Sequence, residues 1–113
     1  MIVAFSVAPS GPPSDPAIAP SAEDQASVHK AVAAAVRIVR ESGLPNRTSS
    51  MFTEIEGEWD EVMDVVRRAT DEAGRYGSRM SLVLKADIRP GHTGEIDGKL
   101  ERVEKALANR DAS

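Results

Sequence analysis

The apolar residues of this chain repeat with two different periods, and the change from one period to the other divides it into strands and helices. Over residues 79–89, Met80, Leu82, Leu84 and Ala86 alternate with Ser81, Val83, Lys85, Asp87 and Arg89. Alternation marks a half-buried strand, because successive side chains leave opposite faces of a sheet. Pro90-Gly91 stops it. Upstream, Val28, Val32, Ala35, Val36 and Val39 recur at three- and four-residue intervals and form one stripe on a helix. Ser27 is its expected N-cap, and Gly43 followed by Pro45 ends it. A second helical stripe, Trp59, Val62, Met63, Val66, Ala69 and Ala73, is expected to be buried. It lies between Gly57 and the Gly74/Gly77 pair, with Glu58, Asp60 and Glu61 near the positive helix start. Ile96, Leu100, Val103 and Leu107 mark a third helix, after which residues 109–113 are expected to fray.

Met1-Ile-Val-Ala-Phe-Ser-Val-Ala-Pro9 has no basic leader region and its prolines make it a poor signal peptide; Met1 to Val7 reads as a first strand. Residues 46–56 are polar and β-branched, and suit two short strands or one bent ribbon. The order is then strand, helix, strand pair, helix, strand, helix. That order predicts an α+β, ferredoxin-like βαββαβ sandwich with a four-stranded antiparallel sheet and an extra C-terminal helix. One domain spans residues 1–113, with a Pro-rich loop insertion at about 9–24 that holds Pro9, Pro12, Pro13, Pro16 and Pro20. Two helices cover one sheet face. The other stays bare unless the last helix folds across it, and there a partner subunit or ligand is expected.

The composition narrows the chemistry. Aromatic residues make up only 4% of the chain, so the core is aliphatic, and such a core gains area by self-association. The net charge is −4 and no face or tail gathers Lys and Arg, which argues against nucleic acid or an anionic membrane as partner. No cysteine is present, so disulfides and thiolate chemistry are excluded, and a cytoplasmic location is expected. His29 follows the core position Val28 and turns to solvent, while His92 lies ahead of the last helix, where free amides can hold an anion. Neither histidine has metal-ligand spacing to another, and no GxSxG, Walker A or GxGxxG motif occurs. Asp60, Glu61, Asp64, Asp71 and Glu72 form a solvated helix face. Glu54, Glu56, Lys85, Asp87 and Arg89 differ, because strand alternation places several of them on a sheet face beside aliphatic residues.

Several segments together resemble the small thiamine-binding protein family, related to the YkoF-like proteins. They are Glu41-Ser-Gly-Leu-Pro-Asn-Arg47, Met51-Phe-Thr-Glu-Ile-Glu-Gly57 running into Glu58-Trp-Asp-Glu-Val62, and Ser81-Leu-Val-Leu-Lys-Ala-Asp-Ile-Arg89. The first strand and Gly98-Lys-Leu-Glu-Arg-Val-Glu104 fit the family's two ends. The resemblance implies a ferredoxin-like fold, dimers or tetramers, and non-catalytic binding of thiamine or its hydroxymethylpyrimidine moiety, with no required cofactor. It carries ligand-binding roles to Met51, Thr53, Glu56, Lys85, Asp87 and Arg89. Chemistry adds Ser6, Asn46 and Thr48, since an aminopyrimidine needs an acceptor for its amine, donors for its ring nitrogens and an apolar slot. Glu56 or Asp87 would accept, Thr48 or Thr53 donate, and Met51 or Phe52 pack on the ring. The chain departs from the family's short loop after the first strand by its Pro-rich stretch, which would lid the pocket or block an oligomer contact if it folded over the sheet edge. Two other readings remain open: a structural or regulatory oligomer without a small-molecule ligand, and a small enzyme with Asp87 or Glu56 as general base.

Overall fold

The computed structural model describes residues 1–18 and 24–112, with the side chains of 1–18 and 28–109. Pro20 and Ser21 of the Pro-rich stretch, and the Ser27 side chain, lie outside what it describes. The elements run β1 (Ile2–Ser10), α1 (Asp24–Glu41), β2 (Asn46–Thr48), β3 (Thr53–Glu56), α2 (Trp59–Gly74), β4 (Arg79–Asp87) and α3 (Glu95–Ala112). The strands form one 4-stranded sheet in the order β2-β3-β1-β4, with every neighbouring pair antiparallel. This is the expected ferredoxin-like α+β arrangement.

Alternation along β1 builds the core. Val3, Phe5 and Val7 turn to the helices and are buried, as is Ile55 of β3. From α1 the core takes Ala31, Ala35 and Val39, and from α2 Val62, Val65, Val66, Ala69 and Ala73. The alanines let the two helices lie close over the sheet. The opposite face carries Ile2, Ala4 and Ser6 of β1 with Asp87, Lys85 and Val83 opposite them on β4.

The structure corrects several sequence expectations. Trp59, expected in the buried stripe, is 54% exposed because it opens α2 beyond the end of the sheet; Val65 takes an inner place instead. α1 begins at Asp24, so Ser27 lies inside its first turn rather than at its cap. β1 continues through Pro9 to Ser10, because β4 pairs with its whole length. α3 extends to Ala112, past the expected fraying point.

The described part of the Pro-rich stretch is pinned to the C-terminal end of α2. Ser14 Oγ donates to the Gly74 carbonyl at 2.8 Å, and Arg75 Nε donates to Asp15 Oδ2 at 2.8 Å. Asp15 Oδ1 also accepts from the Ala17 amide at 2.9 Å, an Asx turn that holds the loop in shape. Gly77 lets this corner close, since a Cβ there would stand 2.7 Å from the Ser10 carbonyl oxygen.

The first turn of α3 seats at the end of the sheet, and residues 99–109 beyond it are exposed. Gly91 and Gly94, at φ of 80° and 68°, turn the chain back after β4. Ile96 is buried, whereas Leu100, Val103 and Leu107 continue the same stripe and stay 46–56% exposed.

Candidate functional site

Strand lengths create a notch at the sheet edge. β4 pairs with β1 from Ile2 to Ser10, but β3 pairs only from Ile2 to Phe5. Beyond Phe5 the second edge of β1 has no strand partner among the described residues. The β2–β3 loop turns beside that edge and α1 crosses above it. A pocket of about 130 Å³ results, lined by Phe5, Ser6 and Val7, by Val32, Ala35 and Val36, and by residues 48–53. That volume is below the roughly 300–1,000 Å³ of sites that take drug-sized ligands, so within one chain it suits a single ring.

The loop is internally braced. The Ser49 amide donates to the Phe52 carbonyl at 2.9 Å, and Ser49 Oγ accepts from the amides of Met51 and Phe52 at 3.3 and 3.2 Å. The hydroxyls of Thr48, Ser50 and Thr53 make no hydrogen bond among the described residues and line the pocket. Thr53 is buried, while Met51 is 74% exposed and forms a movable outer wall. Ser6 lines the pocket through its main chain, because alternation sends its side chain to the open face. The walls are therefore Val, Ala, Phe and Met with a few hydroxyl and main-chain groups, and none of the lining residues is charged.

The remaining sequence-derived residues lie elsewhere. Asn46, at the far end of β2, donates through Nδ2 to the Leu44 carbonyl at 2.8 Å. Lys85 is on the open face, opposite Ala4. Glu56, Asp87 and Arg89 gather beneath the start of α3. The Glu56 carboxylate is buried and accepts from the Glu95 amide at 2.9 Å and the Ile96 amide at 3.4 Å. A helix start leaves such amides unpaired and favours negative charge, so Glu56 caps α3 from the sheet. Lys99 Nζ donates to Asp87 Oδ2 at 2.5 Å, and this pairing lowers the Asp87 pKa.

Glu95 completes that cluster. Its carboxylate accepts from Arg102 at 2.8 Å, with Arg89 at 3.6 Å and His92 at 3.5 Å. The Arg102 hydrogen bond, opposed by burial and helped by the nearby positive charges, lowers its pKa. Sequence reasoning missed Glu95 and Arg102, whose seven-residue separation on one helix face was the available signal. It also missed Ser50, Val32 and Val36 as pocket walls. Among the described residues no group of three or more His, Asp or Glu side chains is placed to hold a metal ion, and no helix is long and apolar enough to cross a membrane.

A four-stranded antiparallel sheet with two helices on one face and an uncharged, ring-sized notch at its edge defines a small ferredoxin-like protein. The thiamine-binding protein family model matches residues 14–104, and the chain belongs to that family. Its role is accordingly thiamine-related. The UPF0045 protein Mb1933 of Mycobacterium bovis is 43% identical over 108 residues, covering 95% of this chain and 94% of that protein. The DUF77 domain structure from Bacillus cereus superposes with a TM-score of 0.68 at 29% identity, over 87% of this chain and 84% of that one. A candidate thiamine biosynthesis/salvage protein of Thermotoga maritima shares the fold with a TM-score of 0.70 at 22% identity, over 90% and 96% of the two chains.

Proposed function

We propose that this protein binds thiamine or its hydroxymethylpyrimidine moiety without transforming it, with the pyrimidine ring in the notch between α1 and the β2–β3 loop. The uncharged, hydroxyl-bearing, ring-sized pocket carries this reading. Its apolar walls cover the ring faces, with Met51 and Phe52 closing the outer side. Thr48, Ser50 and Thr53 present hydroxyls that both donate and accept, which suits ring nitrogens and an exocyclic amine. The bare edge of β1 near Ser6 adds main-chain groups to the same wall. Glu56, Asp87 and Arg89 are engaged in holding α3, so in this reading they serve the seat of that helix rather than the ligand.

The protein acts as a homo-oligomer in this reading. Leu100, Val103 and Leu107 run along α3 at helical spacing, and Val83 of the open sheet face is 54% exposed. A second copy covers such a stripe at the least cost, since self-complementary packing repeats one patch twice. The thiamine-binding family match supports the ligand class.

Thermal unfolding with thiamine, thiamine diphosphate, hydroxymethylpyrimidine and buffer alone tests the ligand. A native-state ligand raises stability by RT ln(1 + [L]/Kd), and at a hundredfold excess over Kd that is about 2.7 kcal/mol. A rise in Tm with a pyrimidine-containing compound is expected. No rise with any of them at millimolar concentration overturns the reading.

A further inference from the structure

We infer that the pocket continues into a phosphate subsite on α1, so that the preferred ligand is a phosphate ester of the pyrimidine rather than a cationic two-ring compound. This rests on the proposed pyrimidine site and extends it.

The ring-sized notch does not end at its own walls. Val32, Val36 and Ser50 also line a second, wider groove on the outer side of α1, which runs on to Arg37, Arg40 and Glu41. The two cavities therefore meet along one stripe of α1, and Ser50 stands at their junction. Arg37 and Arg40 are exposed and make no ion pair among the described residues. Arg40 lies one turn beyond Val36, a rise of about 6 Å. Side chains on a helix lean toward its N-terminus, so the Arg40 arm lies back over the turn that reaches the junction.

Charge complementarity selects the ligand. The ring pocket has no charged residue in its lining, and the groove beyond it carries two guanidinium groups against one carboxylate, Glu41. A thiazolium cation placed there meets like charge. A phosphoryl group on the pyrimidine's hydroxymethyl arm meets two guanidinium groups and the Ser50 hydroxyl, and arginine pairs with phosphate through charge-assisted hydrogen bonds. A neutral ring followed at once by an anion fits both cavities.

The test is calorimetric titration of the full chain with hydroxymethylpyrimidine, its monophosphate, thiamine, thiamine monophosphate and inorganic phosphate. Hydroxymethylpyrimidine monophosphate is expected to bind roughly tenfold or more tightly than the unphosphorylated compound. That advantage should shrink with added salt and vanish in the R37E/R40E double variant, whose affinity for the unphosphorylated compound stays unchanged. R37Q/R40Q provides a second variant that removes the charge without reversing it. Equal or weaker binding of the phosphate ester, or an advantage that survives both double variants, overturns the subsite while leaving the pyrimidine site standing. Tightest binding of thiamine itself also overturns it. Binding of inorganic phosphate alone, or of none of these compounds, overturns both readings.

Discussion

Glu56 at the end of β3 accepts the backbone amide of Glu95 at 2.9 Å, a contact that spans 39 residues and ties the start of α3 to the sheet. The same carboxylate takes the Ile96 amide at 3.4 Å. One side chain thus decides where the last helix leaves the body of the protein, and with it where Leu100, Val103 and Leu107 are presented.

Removing that cap should loosen α3 first. Glu56→Ala leaves two helix-start amides without their acceptor, a loss of about 0.5–2 kcal/mol. Glu56→Gln keeps an acceptor oxygen and should cost less. Denaturant unfolding gives the magnitude, and amide hydrogen exchange gives the place. Unchanged exchange in the first turn of α3 would contradict the capping role.

Acid should act on the same joint. Arg102 and its positive neighbours lower the Glu95 pKa from the usual 4.5, so the unfolded chain takes up this proton first as pH falls. The stabilisation is complete above that value and is lost as pH falls through the lower folded value. Asp87, lowered by Lys99, works in the same direction. The stability gap between the wild type and Glu95→Gln should be constant near neutrality and narrow in acid. A gap that stays the same down to about pH 3 would count against it.

Gly77 allows the close approach of β1 to the turn before β4. An added methyl would meet the Ser10 carbonyl oxygen at 2.7 Å and the Ser10 nitrogen at 2.9 Å, both main-chain atoms that cannot swing aside. Gly77→Ala should destabilise by about 1–3 kcal/mol, measured as a lower denaturation midpoint. Gly74→Ala is the control, since a methyl at Gly74 would meet nothing within 4 Å and the residue lies within α2.

In the pocket, Thr53→Val keeps the shape and removes the hydroxyl. Loss of one ligand hydrogen bond should weaken hydroxymethylpyrimidine binding by roughly tenfold, or about 1.4 kcal/mol, with a smaller change in Tm. Unaltered affinity by titration would move the ligand away from Thr53.

Charging the exposed stripe should separate subunits. The Leu100→Glu, Val103→Glu double variant changes side chains that are 46% and 56% exposed in the single chain, so folding is expected to survive. Sedimentation should then report a monomer where the wild type is larger. An unchanged sedimentation coefficient would rule out this stripe as the contact.

Most of the architecture was legible in the amino-acid order because it follows from periodicity. Residues 79–89 alternate, and β4 pairs with β1 along its length with Leu84 and Ala86 turned inward. Of the α2 stripe, Val62, Val66, Ala69 and Ala73 do face the sheet. Of the α1 stripe only Ala35 and Val39 do, with Ala31 beside them, while Val32 is exposed and lines the outer groove with Val28 and Val36. Trp59 shows where periodicity stops informing: it has the right spacing for burial, but it opens its helix beyond the sheet, where nothing covers it.

The sequence by itself determined the order of elements, the inner faces of β1 and β4, most of that of α2, and the uncharged character of residues 48–53, all local properties of neighbouring side chains. Only tertiary structure decided what the polar residues do. Glu56 and Thr53 are separated by two residues on one strand, yet alternation and a strand end send one beneath α3 and the other into the pocket. The pocket itself exists because β3 is shorter than β1, a mismatch visible only once the strands are paired. Its meeting with Arg37 and Arg40 depends on α1 lying across that gap, and no spacing along the chain records it.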